Sequence, residues 1–271
     1  MRGLPYIARL GYGLLTPPGM EVAGRVEAVG NNVTKFRPGN EVFGWCNGAF
    51  AEYVSVSEDA LAMKPSNITL EQAAAFPISA FAALQALRDT GRIQPAHRVL
   101  IIGASGGVGT FAVQIAKSYG AEVTGVCSAK NVEMVRSIGA DHVIDYARED
   151  FADGKRRYDM ILDTAGNRSL SHLRRALTPQ GTLVLVGGSG GPWLMGTERT
   201  LRALMLSPFV RQRLRGFLSQ PKKEDLAVLK TLVEAGKVTP VIDRTYPLSE
   251  VPDAMRYLEQ QHPGGKLVIT M

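Results

Sequence analysis

The sequence predicts an α/β chain whose larger part is a doubly wound parallel sheet, preceded by a smaller β-rich portion. Three observations carry this. An apolar run, Val99 to Ile102, enters a glycine turn, Gly103 to Gly109, and a helical pattern follows at once. From there on, near-continuous apolar strands alternate with helices, the pattern of a parallel sheet covered on both faces. Before about residue 70 the chain instead alternates glycines and prolines with short Val/Phe-rich runs, which suggests a small antiparallel barrel or sandwich.

Taken in order, the first portion offers short strands at Gly24–Gly30, Glu41–Gly44 and Phe50–Val56. After Leu70 the pattern turns helical, through Glu71, Gln72 and three alanines, and again over Phe81 to Leu87. Behind the glycine turn, Val108, Phe111, Ala112, Ile115, Ala116 and Tyr119 mark one face of a helix. Gly120 ends that helix, since the position just past a helix often needs a left-handed backbone. Strands follow at Glu122–Cys127, His142–Asp145, Tyr158–Asp163 and Thr182–Val186, with helices over Asn131–Ile138 and Ser169–Leu177 between them. Right-handed crossovers make such a series doubly wound. The segment around Leu201, Leu204, Met205 and Leu206, running into the basic stretch Arg211–Arg215, has the pattern of a helix that could lie on a membrane surface, but it reads first as an amphipathic helix packed on the core. A helix over Glu224–Ala235, an apolar run at Val238–Ile242 and a last strand at Lys266–Ile269 complete the chain.

Composition excludes several classes. With 45% hydrophobic and 21% charged residues, the 271-residue chain has the balance of one large or two ordinary globular domains. No uncharged apolar stretch is long enough to span a bilayer, and Arg9 interrupts any secretory core near the N-terminus. Two cysteines, Cys46 and Cys127, give neither a disulfide framework nor a CxxC motif, so a reducing, cytoplasmic setting is expected. The net charge of +6 is dispersed and not interleaved with aromatics, which argues against nucleic acid as a partner.

The chemistry starts at the glycine turn. A helix N-terminus presents unpaired N–H groups and the positive end of its dipole, and so favours an anion. In Gly103-x-x-Gly106-x-x-Gly109, one glycine permits the tight turn, one lets the backbone approach a pyrophosphate, and one lets helix and strand pack closely. The same residues, Gly103-Ala-Ser105-Gly-Gly107, also fit the nucleophile elbow of serine hydrolases, with Asp163 and His262 in the required order downstream. Against that alternative, the segment before the turn is barrel-like, where a hydrolase places several strands of its main sheet. The end of the second strand favours a dinucleotide. An NAD site has a carboxylate there for the ribose hydroxyls. This chain has Cys127-Ser128-Ala129-Lys130-Asn131, in which a hydroxyl and an ammonium suit a 2′-phosphate. The cofactor expected is NADPH.

With these residues in hand, the chain resembles the medium-chain dehydrogenase/reductase superfamily, and within it the zinc-independent quinone oxidoreductase branch. The resemblance runs essentially end to end, through Gly19-Met-Glu-Val-Ala-Gly24, Val29-Gly-Asn-Asn-Val33, Phe36-Arg-Pro-Gly39, Gly48-Ala-Phe-Ala-Glu-Tyr53, the Gly103–Gly109 turn, Gly139 to Tyr146, and Gly265-Lys-Leu-Val-Ile269. It implies a GroES-like barrel over residues 1–78 and 245–271, a Rossmann domain over 79–244, and a cofactor cleft between them. It also implies an oxidoreductase passing hydride from NADPH to a quinone, enone or related carbonyl, and it makes homodimerisation an expectation. Carried over residue by residue, Ser105, Gly106, Gly107, Val108 and Gly109 cradle the pyrophosphate, and Ser128, Lys130 and Tyr146 surround the 2′-phosphate. The strand ends, Asp163 to Gly166 and Leu185-Val186-Gly187, line the adenosine and nicotinamide side. Where zinc-dependent relatives have a histidine, this chain has Met20, a poor zinc ligand, and His97, His142, His172 and His262 lack ligand spacing, so no metal is expected.

Three departures from the family pattern stand out. Relatives begin upstream of the point that Met1 matches, so the barrel is expected to be short of its first strands and to have unpaired edges. If turnover fails for that reason, the chain is a non-catalytic NADPH-binding relative. The helix segment that usually carries a threonine near the nicotinamide reads Ala80-Phe-Ala82-Ala83, and Gly39-Asn40 replaces a common Gly-Asp pair. No proton donor can be named. Tyr6, Tyr12 and Tyr53 are candidates that read equally as packing residues.

Overall fold

The structure, a computed structural model, describes residues 18–186, 197–261 and 263–271. Tyr6, Tyr12, Gly187 and His262 lie outside the described residues. The chain divides into two compact units, one of residues Ala82–Ser219 and one of residues 18–81 with Gln220–Met271. Residues 220–244 thus group with the second unit, whereas the sequence reading ends the Rossmann portion at 244.

The first unit is a six-stranded parallel sheet. Its strands are β4 (Arg98–Ile102), β5 (Glu122–Cys127), β6 (His142–Asp145), β7 (Tyr158–Asp163), β8 (Leu177–Val186) and β9 (Arg213–Phe217), in the order β6-β5-β4-β7-β8-β9. β4 is the pivot. Val99 pairs with Val123 of β5 on one side and with Met160 of β7 on the other. Val99, Leu100 and Ile101 are fully buried, as the continuous apolar run requires of a strand covered on both faces. Helix α3 (Gly107–Ser118) buries Phe111, Ala112, Ile115 and Ala116, which are the central residues of the face read from the sequence, and Gly120 follows with φ +78°. Short helices α4 (Val132–Ser137) and α5 (Leu170–Ala176) occupy the other expected crossovers.

Strand β9 corrects the reading of Arg211–Arg215 as part of a packed helix. It pairs parallel with β8, from Thr182 opposite Arg213 to Val186 opposite Phe217. Its alternation explains the basic pattern, because Leu214 is buried while Arg213 and Arg215 are exposed on the outermost strand. The helix before it, α6 (Thr197–Leu206), packs through Ala203 and Thr200. A Cβ on Gly216 of β9 would lie 2.1 Å from the Thr200 Cγ2 methyl, which shows how close the two elements approach. Leu201, Leu204 and Met205, expected in the core, are exposed instead.

The second unit holds a three-stranded antiparallel sheet, β1 (Glu21–Arg25), β2 (Glu41–Trp45) and β3 (Leu61–Met63), and a parallel pair, β10 (Ile242–Pro247) with β11 (Lys266–Thr270). Phe50–Val56, expected as a strand, forms no ladder among the described residues, and Leu61–Met63 takes the place beside β2. The run Val238–Ile242 becomes a strand only from Ile242, since Pro240 has no N–H to give a ladder. Helices α1 (Leu70–Ala74), α7 (Lys223–Glu234) and α8 (Val251–Gln260) complete this unit, and α2 (Pro77–Gln85) straddles the division between the two. α1 starts on a capping box, with Thr69 accepting from the Gln72 N–H and the Gln72 side chain accepting from the Thr69 N–H. Glu21 and Lys266 tie β1 to β11 at 2.5 Å, and their other partners are the Ile78 N–H and the Ser79 hydroxyl. A cavity of about 840 Å³ opens beside β1, Tyr53 and the end of β11.

Candidate functional site

Strand order concentrates the predicted residues on one edge of the sheet. Ser105 follows β4, Ser128 and Lys130 follow β5, Tyr146 follows β6, Gly166 follows β7, and Val186 ends β8. All are carboxyl ends of adjoining parallel strands. The chain reverses direction across the sheet between β4 and β7, and open α/β sheets bind ligands in the crevice at such a switch point.

The glycine turn is built as a phosphate turn is built. Gly103 has φ +82°, a region that side chains avoid, and its Cβ would lie 2.5 Å from the Thr164 hydroxyl. Gly109 is buried in the first turn of α3, where a Cβ would lie 2.0 Å from the Gly103 carbonyl oxygen. Gly106 is the N-cap of α3 in extended conformation and has no capping side chain. A Cβ there would find only the Gly103 oxygen, at 3.4 Å. The first N–H groups of the helix, at Gly107, Val108 and Gly109, thus come after a side-chain-free N-cap, and such groups have no intrahelical acceptor. Gly103 thus makes the tight turn, Gly109 lets helix and strand pack closely, and the open space at Gly106 leaves the helix N-terminus accessible to an anion.

Beyond β5 the chain makes a single 3-10 turn, Ala129–Asn131, entered by Ser128 in extended conformation. Lys130 is exposed at its centre, and the segment Cys127–Asn131 contains no carboxylate. Asn131, which the sequence does not single out, completes this end of the site. Its side-chain amide donates to the Ser105 hydroxyl at 3.1 Å and lies 3.4 Å from the Ser128 hydroxyl, joining the phosphate turn to the end of β5. An Asn at the start of a helix after a strand was the available signal, since its amide suits such bridging. The Tyr146 backbone N–H donates to the Cys127 carbonyl at 3.2 Å, and its ring is half exposed. Cys127 itself is buried, and burial, aided by the charge of Asp145, pushes its thiol up to about 11.

The turn after β7 is held by Asp163, whose Oδ1 accepts the N–H groups of Ala165 at 3.2 Å and Gly166 at 3.0 Å. Gly166 has φ +72°. Thr164 reaches back to β4, donating its N–H and hydroxyl to the Ile102 carbonyl at 3.1 and 2.8 Å. The serine-hydrolase reading finds no support here. The bonded neighbour of Ser105 is an amide donor, and among the described residues no histidine hydrogen-bonds it.

Known proteins resemble this chain along most of its length. Residues 138–269 match the zinc-binding dehydrogenase family, and residues 6–66 match the alcohol dehydrogenase GroES-like domain. The mitochondrial NAD(P)H oxidoreductase RTN4IP1 of Mus musculus is 37% identical over 279 residues, which cover 93% of this chain and 70% of that protein. The chain belongs to the medium-chain dehydrogenase/reductase superfamily, in its quinone oxidoreductase-like branch. The superfamily makes it a nicotinamide-dependent oxidoreductase with a Rossmann unit and a GroES-like domain. The chloroplastic NADPH-dependent alkenal/one oxidoreductase of Arabidopsis thaliana is 33% identical, with 94% of this chain and 64% of that protein covered. A solved structure of the quinone oxidoreductase from Coxiella burnetii superposes with a TM-score of 0.85 at 29% identity, covering 99% of this chain and 84% of that one.

Met20, immediately before β1, is a half-exposed thioether. Among the described residues, no three His, Cys, Asp or Glu side chains gather as a metal-holding group. No helix among them is long and apolar enough to cross a membrane.

Proposed function

We propose that this oxidoreductase takes its hydride from NADPH and delivers it to an electrophilic carbonyl compound, a quinone or a conjugated enone, without zinc. The observation that carries the cofactor preference is the Ser128–Asn131 turn. An exposed ammonium and a hydroxyl stand at the end of β5, where a carboxylate would select the free ribose of NADH. Ser128 and Lys130 hold the 2′-phosphate, with Tyr146 beside them on the end of β6. Gly106 to Gly109 hold the pyrophosphate through backbone N–H groups. Gly166 and Val186 border the path toward the nicotinamide, where a cofactor so held supplies hydride.

Zinc independence rests on the side chain at Met20. A substrate already conjugated needs no Lewis acid to accept hydride, and the protein then acts mainly by holding two reactants in contact. The names of the relatives support the substrate class, since they include a quinone oxidoreductase and an alkenal/one oxidoreductase. Cysteine usage supports a reducing compartment. The relatives cited include proteins named as mitochondrial and chloroplastic, so fractionation of cells expressing the full-length protein is the direct test of a cytoplasmic location.

The experiment is a fluorescence titration with NADPH and with NADH, followed by turnover on a panel of quinones and enals with and without a chelator. Tighter binding of NADPH, and oxidation of it by at least one acceptor in the presence of chelator, is the expected result. Tighter binding of NADH overturns the reading of Lys130. Bound NADPH with no oxidation above buffer overturns the reductase.

A further inference from the structure

One buried ion pair at the carboxyl edge of the sheet takes no part in the proposed cofactor contacts. Asp163, at the end of β7, has a side chain 0% exposed, and Arg199, in the first turn of α6, is 18% exposed. The Arg199 Nη2 donates to Asp163 Oδ2 at 2.7 Å and to the Arg168 carbonyl at 2.7 Å. Its other terminal nitrogen, Nη1, is buried without a partner among the described residues. A buried carboxylate at the carboxyl edge of this sheet stands on the side that receives an anionic ligand, and in low dielectric it repels that ligand unless a cation cancels it. The carboxylate is also structural, because its Oδ1 folds the turn through the Ala165 and Gly166 N–H groups. The next link is Thr164, whose hydroxyl lies 2.8 Å from the Ile102 oxygen and 3.4 Å from the Gly103 oxygen. Gly103 in turn accepts the Gly106 N–H at 3.0 Å. A continuous series of contacts therefore runs from Arg199 through Asp163 and Thr164 to the phosphate turn.

We propose that Arg199 is a positioning residue for the dinucleotide turn. It cancels the charge of Asp163 on the side that binds the pyrophosphate, and it holds the Thr164–Gly166 turn against Gly103. The proposal rests on reading Gly103–Gly109 as a pyrophosphate turn and is independent of the preference for NADPH. Arg199 acts through Asp163 on the turn that faces the pyrophosphate, so its loss weighs on any dinucleotide more than on adenosine 2′-monophosphate, which has no pyrophosphate.

The test is equilibrium binding of NADPH, NADH and adenosine 2′-monophosphate to the native protein and to Arg199→Met, Asp163→Asn and the double variant, with thermal unfolding measured without ligand. Arg199→Met is expected to weaken NADPH and NADH alike by tenfold or more, and adenosine 2′-monophosphate by at most threefold. The double variant, which is neutral and keeps an acceptor for the Ala165 and Gly166 N–H groups, is expected to return to within threefold of native. Native affinity for both dinucleotides in folded Arg199→Met overturns the proposal, as does a loss that falls equally on adenosine 2′-monophosphate. Should Arg199→Met fail to fold, a folded double variant with more than tenfold weaker dinucleotide binding overturns it, and near-native binding supports it. A native protein that prefers NADH overturns the reading of Ser128 and Lys130 alone, because the Arg199 effect is then read on NADH. A native protein that binds neither dinucleotide defeats both.

Discussion

The Asn131 side-chain amide donates to the Ser105 hydroxyl at 3.1 Å, so the segment that leaves β5 is tied to the turn that leaves β4. The same amide lies 3.4 Å from the Ser128 hydroxyl. One side chain thus fixes the spacing between the residues assigned to the pyrophosphate and those assigned to the 2′-phosphate. Asn131→Leu removes this bridge and leaves the Ser105 hydroxyl without its donor. A single lost hydrogen bond of this kind contributes about 1 kcal/mol, which corresponds to roughly a fivefold weaker Kd. The expected outcome is that loss for NADPH by titration, with the melting temperature nearly unchanged. Unaltered affinity would show that the two turns hold their spacing without Asn131.

If Lys130 meets the 2′-phosphate as proposed, its charge separates the two nicotinamide cofactors. An exposed ammonium facing a phosphate contributes modestly and is screened by salt, but a carboxylate in its place repels that phosphate as well. Lys130→Glu is expected to weaken NADPH by tenfold or more, about 1.4 kcal/mol, while NADH binds as well as before or better. Repeating the titration at low and high ionic strength is the second check. The NADPH affinity of the native protein should fall with salt more steeply than that of the variant.

Two glycines of the turn should respond differently in stability to the same substitution, although both lose cofactor binding. At Gly109 the added methyl would meet the Gly103 carbonyl oxygen at 2.0 Å, so either α3 or the turn must move. Gly109→Ala is expected to lower stability by about 2 kcal/mol, in the range of overpacked cores, and to abolish detectable cofactor binding. At Gly106 the added methyl finds only the Gly103 oxygen, at 3.4 Å, and otherwise occupies the open space before the helix N-terminus that the proposed pyrophosphate would use. Gly106→Ala should therefore unfold at nearly the native temperature yet bind NADPH far more weakly. Equal effects of both variants on stability would refute the division of roles.

The parallel sheet was legible because buried strands carry continuous apolar runs, and Val99–Ile102 and Tyr158–Asp163 have no other use for theirs. The second unit was less legible. Its strands are short and half-exposed, and whether Phe50–Val56 or Leu61–Met63 lies beside β2 depends on a tertiary pairing that local alternation does not encode. The same limit explains β9, where Arg213 and Arg215 alternate around Leu214 with a period of two, yet follow a helix whose period is 3.6. At the site, the residues proposed to meet ligand by backbone or by charge were readable from spacing. Asn131 and Arg199 were not, because each acts through a partner that only the fold brings near, Asn131 across 26 residues to Ser105 and Arg199 across 36 to Asp163.

Cys127 gives the protein a signature at high pH. Burial, with a smaller contribution from the charge of Asp145, raises its thiol from an ordinary 9.0 to about 11. The unfolded chain therefore releases this proton near pH 9, while the folded chain keeps it until about pH 11. The stability that depends on the neutral thiol is complete below pH 9 and is lost as pH rises toward 11, a change on the order of 2 kcal/mol. Burial also raises the Tyr158 hydroxyl, which adds a decline of the same sign at higher pH. Denaturant unfolding at pH 7.5, 9 and 10.5 should show the native protein weakening across that window, and Cys127→Ala weakening less steeply, from a lower starting stability. Iodoacetamide should label Cys127 at pH 8.5 only in denaturant, since the thiolate is the nucleophile. Rapid labelling of Cys127 in the folded protein at that pH would refute its burial at the end of β5.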